Sequence, residues 1–211
     1  MDNNRQLTPA EQKRKEVFDA KCEEMYAKGY TKSDLIFSVA KANVYALIIM
    51  LPLLIGFIVW FFVVNFNNLS INYGFIGIAA VLAAMIILTV IHELIHGITW
   101  AAFAKKHFKS IEFGIVWKML TPYCTCSDTL SKWQYIMGAA MPTIIVGIIP
   151  AIIAIYCNSF LMFLAFWIMI GGGGGDALII LKTLLHRSKG KECVYLDHPY
   201  ECGVVVFEKE K

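Results

Sequence analysis

Charge is scarce in this sequence. Only 17% of its 211 residues are Asp, Glu, Lys or Arg, whereas 58% are hydrophobic, and the mean hydropathy is +0.60. That balance excludes a soluble domain of ordinary composition and points to a membrane protein. The opening stretch, MDNNRQLTPAEQKRKEVFDAKCEEMYAKGY, lacks the early apolar core of a cleavable signal peptide and is polar and helix-prone throughout. Cysteine is too sparse for a disulfide framework: Cys22, Cys124, Cys126, Cys157, Cys193 and Cys202 are widely scattered. No internal repeat appears, and the one low-complexity tract is a run of glycines.

What is abundant is apolar sequence in long runs. Residues 44–64 carry no charge and would span about 31 Å as a helix, enough to cross a bilayer. Further runs cover about 74–104, 133–156 and 160–181. The second is longer than a span needs, so it must tilt, protrude or end early. All 19 Lys and Arg residues fall outside these runs: eight in 1–43, five in 105–132 and six from Lys182 onward. With four spans these three regions share one side, and the positive-inside rule makes it the cytoplasm.

The expected fold is therefore an all-α polytopic membrane protein with four transmembrane helices and both termini cytoplasmic. Its expected parts are an amphipathic N-terminal segment (1–43), a four-helix membrane domain (44–183) and a C-terminal tail (184–211). Both flanking segments are expected on the inner membrane surface. Asn68, in "NLS", matches a glycosylation sequon on the far side, a pattern that also arises by chance. Five of the six cysteines fall on the cytoplasmic side, where thiols stay reduced. Cys124 and Cys126, with Cys193 and Cys202, are candidates for a second zinc site, although the spacing fits no strong pattern.

Against that apolar background, "TVIHELIHGITWAAF" stands out. Away from the ends, the four runs hold only four ionisable residues: His92, Glu93, His96 and Asp176. Each costs on the order of 2.5–3.5 kcal/mol near the bilayer centre, so such groups are functional by default. His92 and His96 are one helical turn apart and share a face, which lets two imidazoles converge on one ion. Glu93, beside the first histidine, can reach a metal-bound water without taking a coordination position, as in H-E-x-x-H metallopeptidases. Composition alone yields roughly 0.005 chance matches to this pattern.

A catalytic zinc site usually has three protein ligands and an open position, so two histidines are one short. His107, His186 and His198 lie outside the apolar runs, and no third histidine has the metzincin spacing. Asp176 is the one carboxylate in the last run and lies at matching depth, making it the third candidate ligand. It follows Gly171, Gly172, Gly173, Gly174 and Gly175. Those glycines read either as an unwound stretch that brings Asp176 to the histidines and admits substrate, or as a face for tight helix packing. A weaker candidate is a tail folded back so that His198 or Cys202 touches the metal.

Between the second and third runs, "KSIEFGIVWKMLTPYCTCSD" is rich in β-formers and reads as a short hairpin, a re-entrant element or a surface loop. A free strand edge there would hold an extended peptide beside the metal. Ser127 or Asp128 is the expected cap of the third helix, Trp133 an interfacial anchor, and Pro142 and Pro150 its kinks.

With these residues in view, the chain resembles a family of bacterial membrane proteins described as putative zincin peptidases. The resemblance is carried by "KGYTKSDLIF", "HELIHG", "GAAMPTIIVG", "GGGGGD" and "DHPYECG". More distantly, "HELIHG" and an Asp in a glycine-rich later span resemble the site-2 proteases, which cut transmembrane segments. The chain lacks the Asn-Pro-Asp-Gly type pattern around that Asp and shows no PDZ-like insertion. The resemblance implies zinc held by His92, His96 and Asp176 with Glu93 as general base, in a multi-pass protein of a bacterial plasma membrane. The expected partners are the bilayer and a membrane-protein or peptide substrate, with no nucleic acid. Two alternatives stay open: a catalytically inactive metal-binding or partner-binding scaffold, and a metal or solute transporter. The transporter has little support, because no line of ionisable residues crosses the spans.

Overall fold

The computed structural model describes residues 7–67, 74–116, 121–188 and 190–210. Helix α1 (Pro9–Ala27) starts where local chemistry directs: Thr8 and Glu11 form a reciprocal capping box and Pro9 takes the first position. Strand β1 (Thr31–Phe37) and helices α2 (Val39–Asn65) and α3 (Phe75–Phe103) follow. After one turn of 3-10 helix (His107–Ser110) come strands β2 (Ile111–Val116), β3 (Thr121–Cys126) and the short β4 (Leu130–Ser131). Helix α4 (Lys132–Thr143) runs through a π-helical segment (Ile144–Ile148) into α5 (Ile149–Tyr156). Helices α6 (Phe160–Gly172) and α7 (Gly174–Leu185) precede strands β5 (Glu192–Asp197) and β6 (Cys202–Lys209).

Three helical stretches are long and apolar enough to cross a membrane: Val39–Asn65, Phe75–Phe103 and the continuous Lys132–Tyr156. The pair α6 and α7, bent by 43° at its break, makes a fourth if it counts as one span. Their outward faces expose large apolar side chains such as Ile76, Ile86 and Val63, a surface suited to lipid and unsuited to water. Inside the bundle, Leu54, Phe57 and Phe61 of α2 pack against Ala154 and Ile155 of α5 and Phe163 of α6. Buried Asn65 closes that core by donating to the carbonyls of Phe61 (2.9 Å) and Ile155 (3.1 Å). Pro142 and Pro150 flank the π segment, so the expected kink takes the form of a π turn.

The all-α expectation is overturned by two antiparallel sheets. One is the hairpin β2–β3, which lies where a short hairpin is among the expected readings, with Ile111 opposite Cys126 and Val116 opposite Thr121. The other has four strands in the order β1-β6-β5-β4 and is built from both flanks of the chain together with the two-residue β4. Its three longer strands lie where polar composition suggested tails, and the β1–β6 pairing joins opposite ends of the sequence, which no local pattern reports, whereas β5–β6 is a local hairpin. Central strand β6 is buried from Gly203 to Phe207 because both faces are covered. Val205 and Phe207 meet Phe18, Cys22 and Met25 of α1. Val204 and Val206 face the other way, toward Trp100, Tyr135 and Tyr195. The N-terminal helix thus packs on this sheet.

One local expectation also changes. The cap of α4 is Ser131, whose N–H donates to Gln134 at 2.9 Å, in place of Ser127 or Asp128. Asp128 is instead buried, accepting from the Lys105 N–H (2.9 Å) and pairing with Lys21 (3.1 Å). Trp133, the expected anchor, is exposed. Asn68 lies outside the described residues.

Gly203 has φ +147°, and an added Cβ would stand 2.4 Å from the Leu35 carbonyl oxygen across the β1–β6 ladder. Gly203→Ala is therefore expected to destabilise the protein by about 1–3 kcal/mol. Denaturant unfolding in detergent, followed by circular dichroism, checks this; an unchanged midpoint would refute it.

Candidate metal centre

Helix periodicity puts His92 and His96 on one buried face of α3, with ring centroids 4.9 Å apart. Asp176 arrives from the first turn of α7. Its Oδ2 lies 3.2 Å from His92 Nε2 and its Oδ1 lies 3.4 Å from His96 Nε2. One ligand atom from each of the three residues lies within 4.8 Å of the others, close enough for all three to reach one zinc ion at about 2.0–2.1 Å. The donor set of two imidazoles and one carboxylate also suits that ion. The residues fit the group.

Three glycines allow this convergence. A Cβ on Gly97, the residue after His96, would meet the Phe113 ring of β2 at 2.3 Å, so that ring would have to move for the hairpin to keep its place against α3. A Cβ on Gly138 would meet Trp100 Nε1 at 1.9 Å. At the α6–α7 break, a Cβ on Gly173 would lie 2.1 Å from Thr143 Oγ1. The glycine run is not unwound: the helices extend to Gly172 and restart at Gly174, and the turn between them sends α7 off at 43°. Gly172 and Gly175 line the cleft beside Asp176, whereas Gly171 lies against Leu54.

The surroundings of the histidines differ. His96 Nδ1 donates to the Gly138 carbonyl at 2.8 Å, which leaves Nε2 with its lone pair facing Asp176. That carbonyl is available because residue 142 is proline and returns no N–H to it in the helix ladder. Trp100 stacks on the His96 ring at 5.0 Å, and Tyr135 stacks on Trp100 at 5.7 Å. His92 Nδ1, by contrast, is buried without a hydrogen-bond partner among the described residues.

Glu93 lines the same cleft of about 450 Å³, facing the backbone of Cys124 on β3. The cleft is roofed by the sheet and hairpin. Asp197, at the end of β5, accepts hydrogen bonds from the Tyr135 hydroxyl and from the Cys126 N–H (2.8 Å), tying tail, α4 and β3 together. Burial pushes the Asp197 carboxyl above its ordinary range, opposed by those two hydrogen bonds. His198 and Cys202 line the cleft without joining the three-donor group. Burial lowers His198 to about 4, and its Nδ1 accepts from the Glu201 N–H at 2.9 Å. Cys124, Cys126, Cys193 and Cys202 do not come together in one metal-type group among the described residues.

Sequence reading missed the Gly138 carbonyl, Trp100, and the Tyr135–Asp197 pair. The first had a signal: in "GAAMP", the residue four before a proline has a carbonyl without its helical donor.

A chain with three to four membrane-length helices and two histidines and an aspartate converging beside a glutamate has the layout of a membrane metallopeptidase. The family model described as putative zincin peptidase matches residues 85–191, just over half of the chain. The chain belongs to that family. No curated protein and no solved structure gave a significant match.

Pro142→Ala restores the missing N–H and is expected to draw the Gly138 carbonyl back into the helix. Zinc affinity should then fall about 10–100-fold, as when other partners of ligating histidines are removed. Competition with a chromophoric chelator measures it; an unchanged affinity would show that the proline plays no part in orienting His96.

Proposed function

We propose that the protein is a zinc metallopeptidase that hydrolyses peptide bonds in or near membrane segments. His92, His96 and Asp176 are the ligands and Glu93 is the general base. The observation that carries this reading is the meeting of the three donors within 4.8 Å of one another in a cleft that Glu93 also lines. When bound, zinc would supply Lewis acidity that acidifies a water and polarises a scissile carbonyl.

The remaining work falls to the chain. Glu93 takes a proton from the attacking water and delivers it to the leaving nitrogen. His96, fixed by Gly138 and stacked on Trp100, keeps its Nε2 aimed at the centre. Among the described residues β3 has β2 as its only sheet partner, and residues from Thr121 to Thr125 line the cleft. Its other edge suits an extended peptide added as a further strand, with the backbone running past Glu93. Clustering of Lys and Arg in the two flanks and the hairpin region supports a cytoplasmic position for this end of the bundle, in a plasma membrane crossed several times.

Glu93→Gln is expected to lower peptidase activity by about 10²–10⁴-fold while leaving zinc bound. His92→Ala and Asp176→Ala should lose zinc together with activity. Metal analysis of the detergent-purified proteins and cleavage of a membrane-reconstituted peptide library read both effects. If Glu93→Gln keeps full activity, or Asp176→Ala keeps full zinc, the assigned roles are wrong.

A further inference from the structure

At the other end of α7 from Asp176, a second group of metal-type donors assembles that the peptidase reading does not use. His186 follows the last residue of α7, Cys193 is on β5 and Glu208 is on β6. One ligand atom from each lies within 4.8 Å of the others. The sheet register accounts for two of the three. Cys193 and Glu208 are direct partners across the antiparallel β5–β6 ladder, so their side chains leave the same face.

The third donor is held by what surrounds it. His186 Nε2 lies 2.8 Å from Glu208 Oε1, and its Nδ1 lies 3.0 Å from the Tyr195 hydroxyl. A hydroxyl can accept as well as donate, so Tyr195 can take Nδ1–H and leave the Nε2 lone pair toward Cys193 and Glu208. Lys132 Nζ donates to the carbonyls of Leu184 (3.0 Å) and His186 (2.9 Å), fixing the end of α7. Lys191 Nζ lies 3.8 Å from Glu208 Oε2, the oxygen turned away from the contact with His186. Cys193 makes only a weak S–H contact to the Lys191 carbonyl at 3.8 Å, a proton that a metal would displace.

We propose that His186, Cys193 and Glu208 form a second binding site, for a borderline-soft divalent ion of the zinc class, that pins the C-terminal end of α7 to the sheet. Thiolate with imidazole and carboxylate selects against magnesium and calcium, which take oxygen ligands. Three protein ligands leave the fourth position to solvent. The ion would bridge α7, β5 and β6, so it fixes the helix whose first turn carries Asp176. The neighbouring stack reaches the same place by another route: Tyr195 lies 6.2 Å from Tyr135, which continues through Trp100 to His96.

Cobalt(II) substitution separates this site from the peptidase centre, because only this one contains a thiolate. Full-length protein in detergent, stripped with chelator and titrated with Co²⁺, should show a near-ultraviolet thiolate-to-cobalt charge-transfer band. That band should disappear in Cys193→Ala, weaken in His186→Gln and Glu208→Gln, and persist in His92→Ala and Cys202→Ala. Metal content should fall from about two equivalents per chain to about one in Cys193→Ala and, separately, in His92→Ala. Circular dichroism confirms that each variant retains its helical signal, and the two Gln variants carry the test if Cys193→Ala misfolds. Absence of the band in the wild type, or a band that survives Cys193→Ala, overturns the proposal. A single equivalent lost only in His92→Ala overturns it too, while leaving the peptidase reading intact.

Discussion

Two imidazoles and a carboxylate held together inside an apolar helix bundle set the terms for the rest of this molecule. Each group buried alone would cost several kcal/mol, and only close mutual pairing or a shared cation offsets that. Pairing at 3.2 and 3.4 Å demands that α3, α4 and α7 approach closely. Side chains at Gly138 and Gly173 would oppose that approach, the first by direct overlap with the Trp100 ring, which lines the site, and one at Gly97 would overlap the Phe113 ring of the hairpin. The small residues therefore follow from the polar ones. A bundle without the buried donors would have no need to bring its backbones so close at these positions.

The same demand explains why the flanks of the chain belong to the site. A cleft opened among membrane-length helices needs a polar wall on its open end, and β3 and the β5–β6 turn supply it. Asp197 is the fastening point. It gathers Tyr135 from α4 and the Cys126 backbone from β3, so the hairpin and the tail are set against the same helix that orients His96. On the opposite face of the sheet, Phe18, Cys22 and Met25 of α1 cover what would otherwise be exposed Val205 and Phe207. Burial on both faces makes β6 a continuous apolar run, "VVVF", where a half-exposed strand would alternate.

How much of this could be read from the residues depended on the range of the interaction that decides each part. His92 and His96 follow from the helical period, a four-residue relation. Asp176 follows from matching depths in two apolar runs, and the structure brings its carboxylate within 4.8 Å of both histidines. The place of β1 is invisible because its pairs with β6, such as Asp34 with Val205, join the two ends of the sequence, whereas the β5–β6 hairpin is local. "TKSDLIF" and "CGVVVFE" looked like surface segments only while each was considered alone. The glycine run was misleading in another way. Five poor helix formers in a row suggest an unwound stretch, yet surrounding helices hold four of them in helical geometry and the break falls at Gly173. Proline in "GAAMP" was read as a kink, which drew attention from the carbonyl it frees.

Position along α7 matters more than the bend itself. A helix that starts at a glycine break can pivot there, and Asp176 sits only in its first turn, so small rotations would change both gaps to the histidines. Sites of this kind tolerate misplacement of only about 0.5 Å before function suffers. Beyond the packing of α7 on α2 and α4, stiffness is added at its far end, where Lys132 holds two terminal carbonyls and His186 is gripped between Tyr195 and Glu208. Those partners belong to α4 and to the sheet, the same two bodies that hold His96 and roof the cleft. Asp176 and the histidines are thus referred to one common frame, which is how a bent helix can present a carboxylate at a fixed distance.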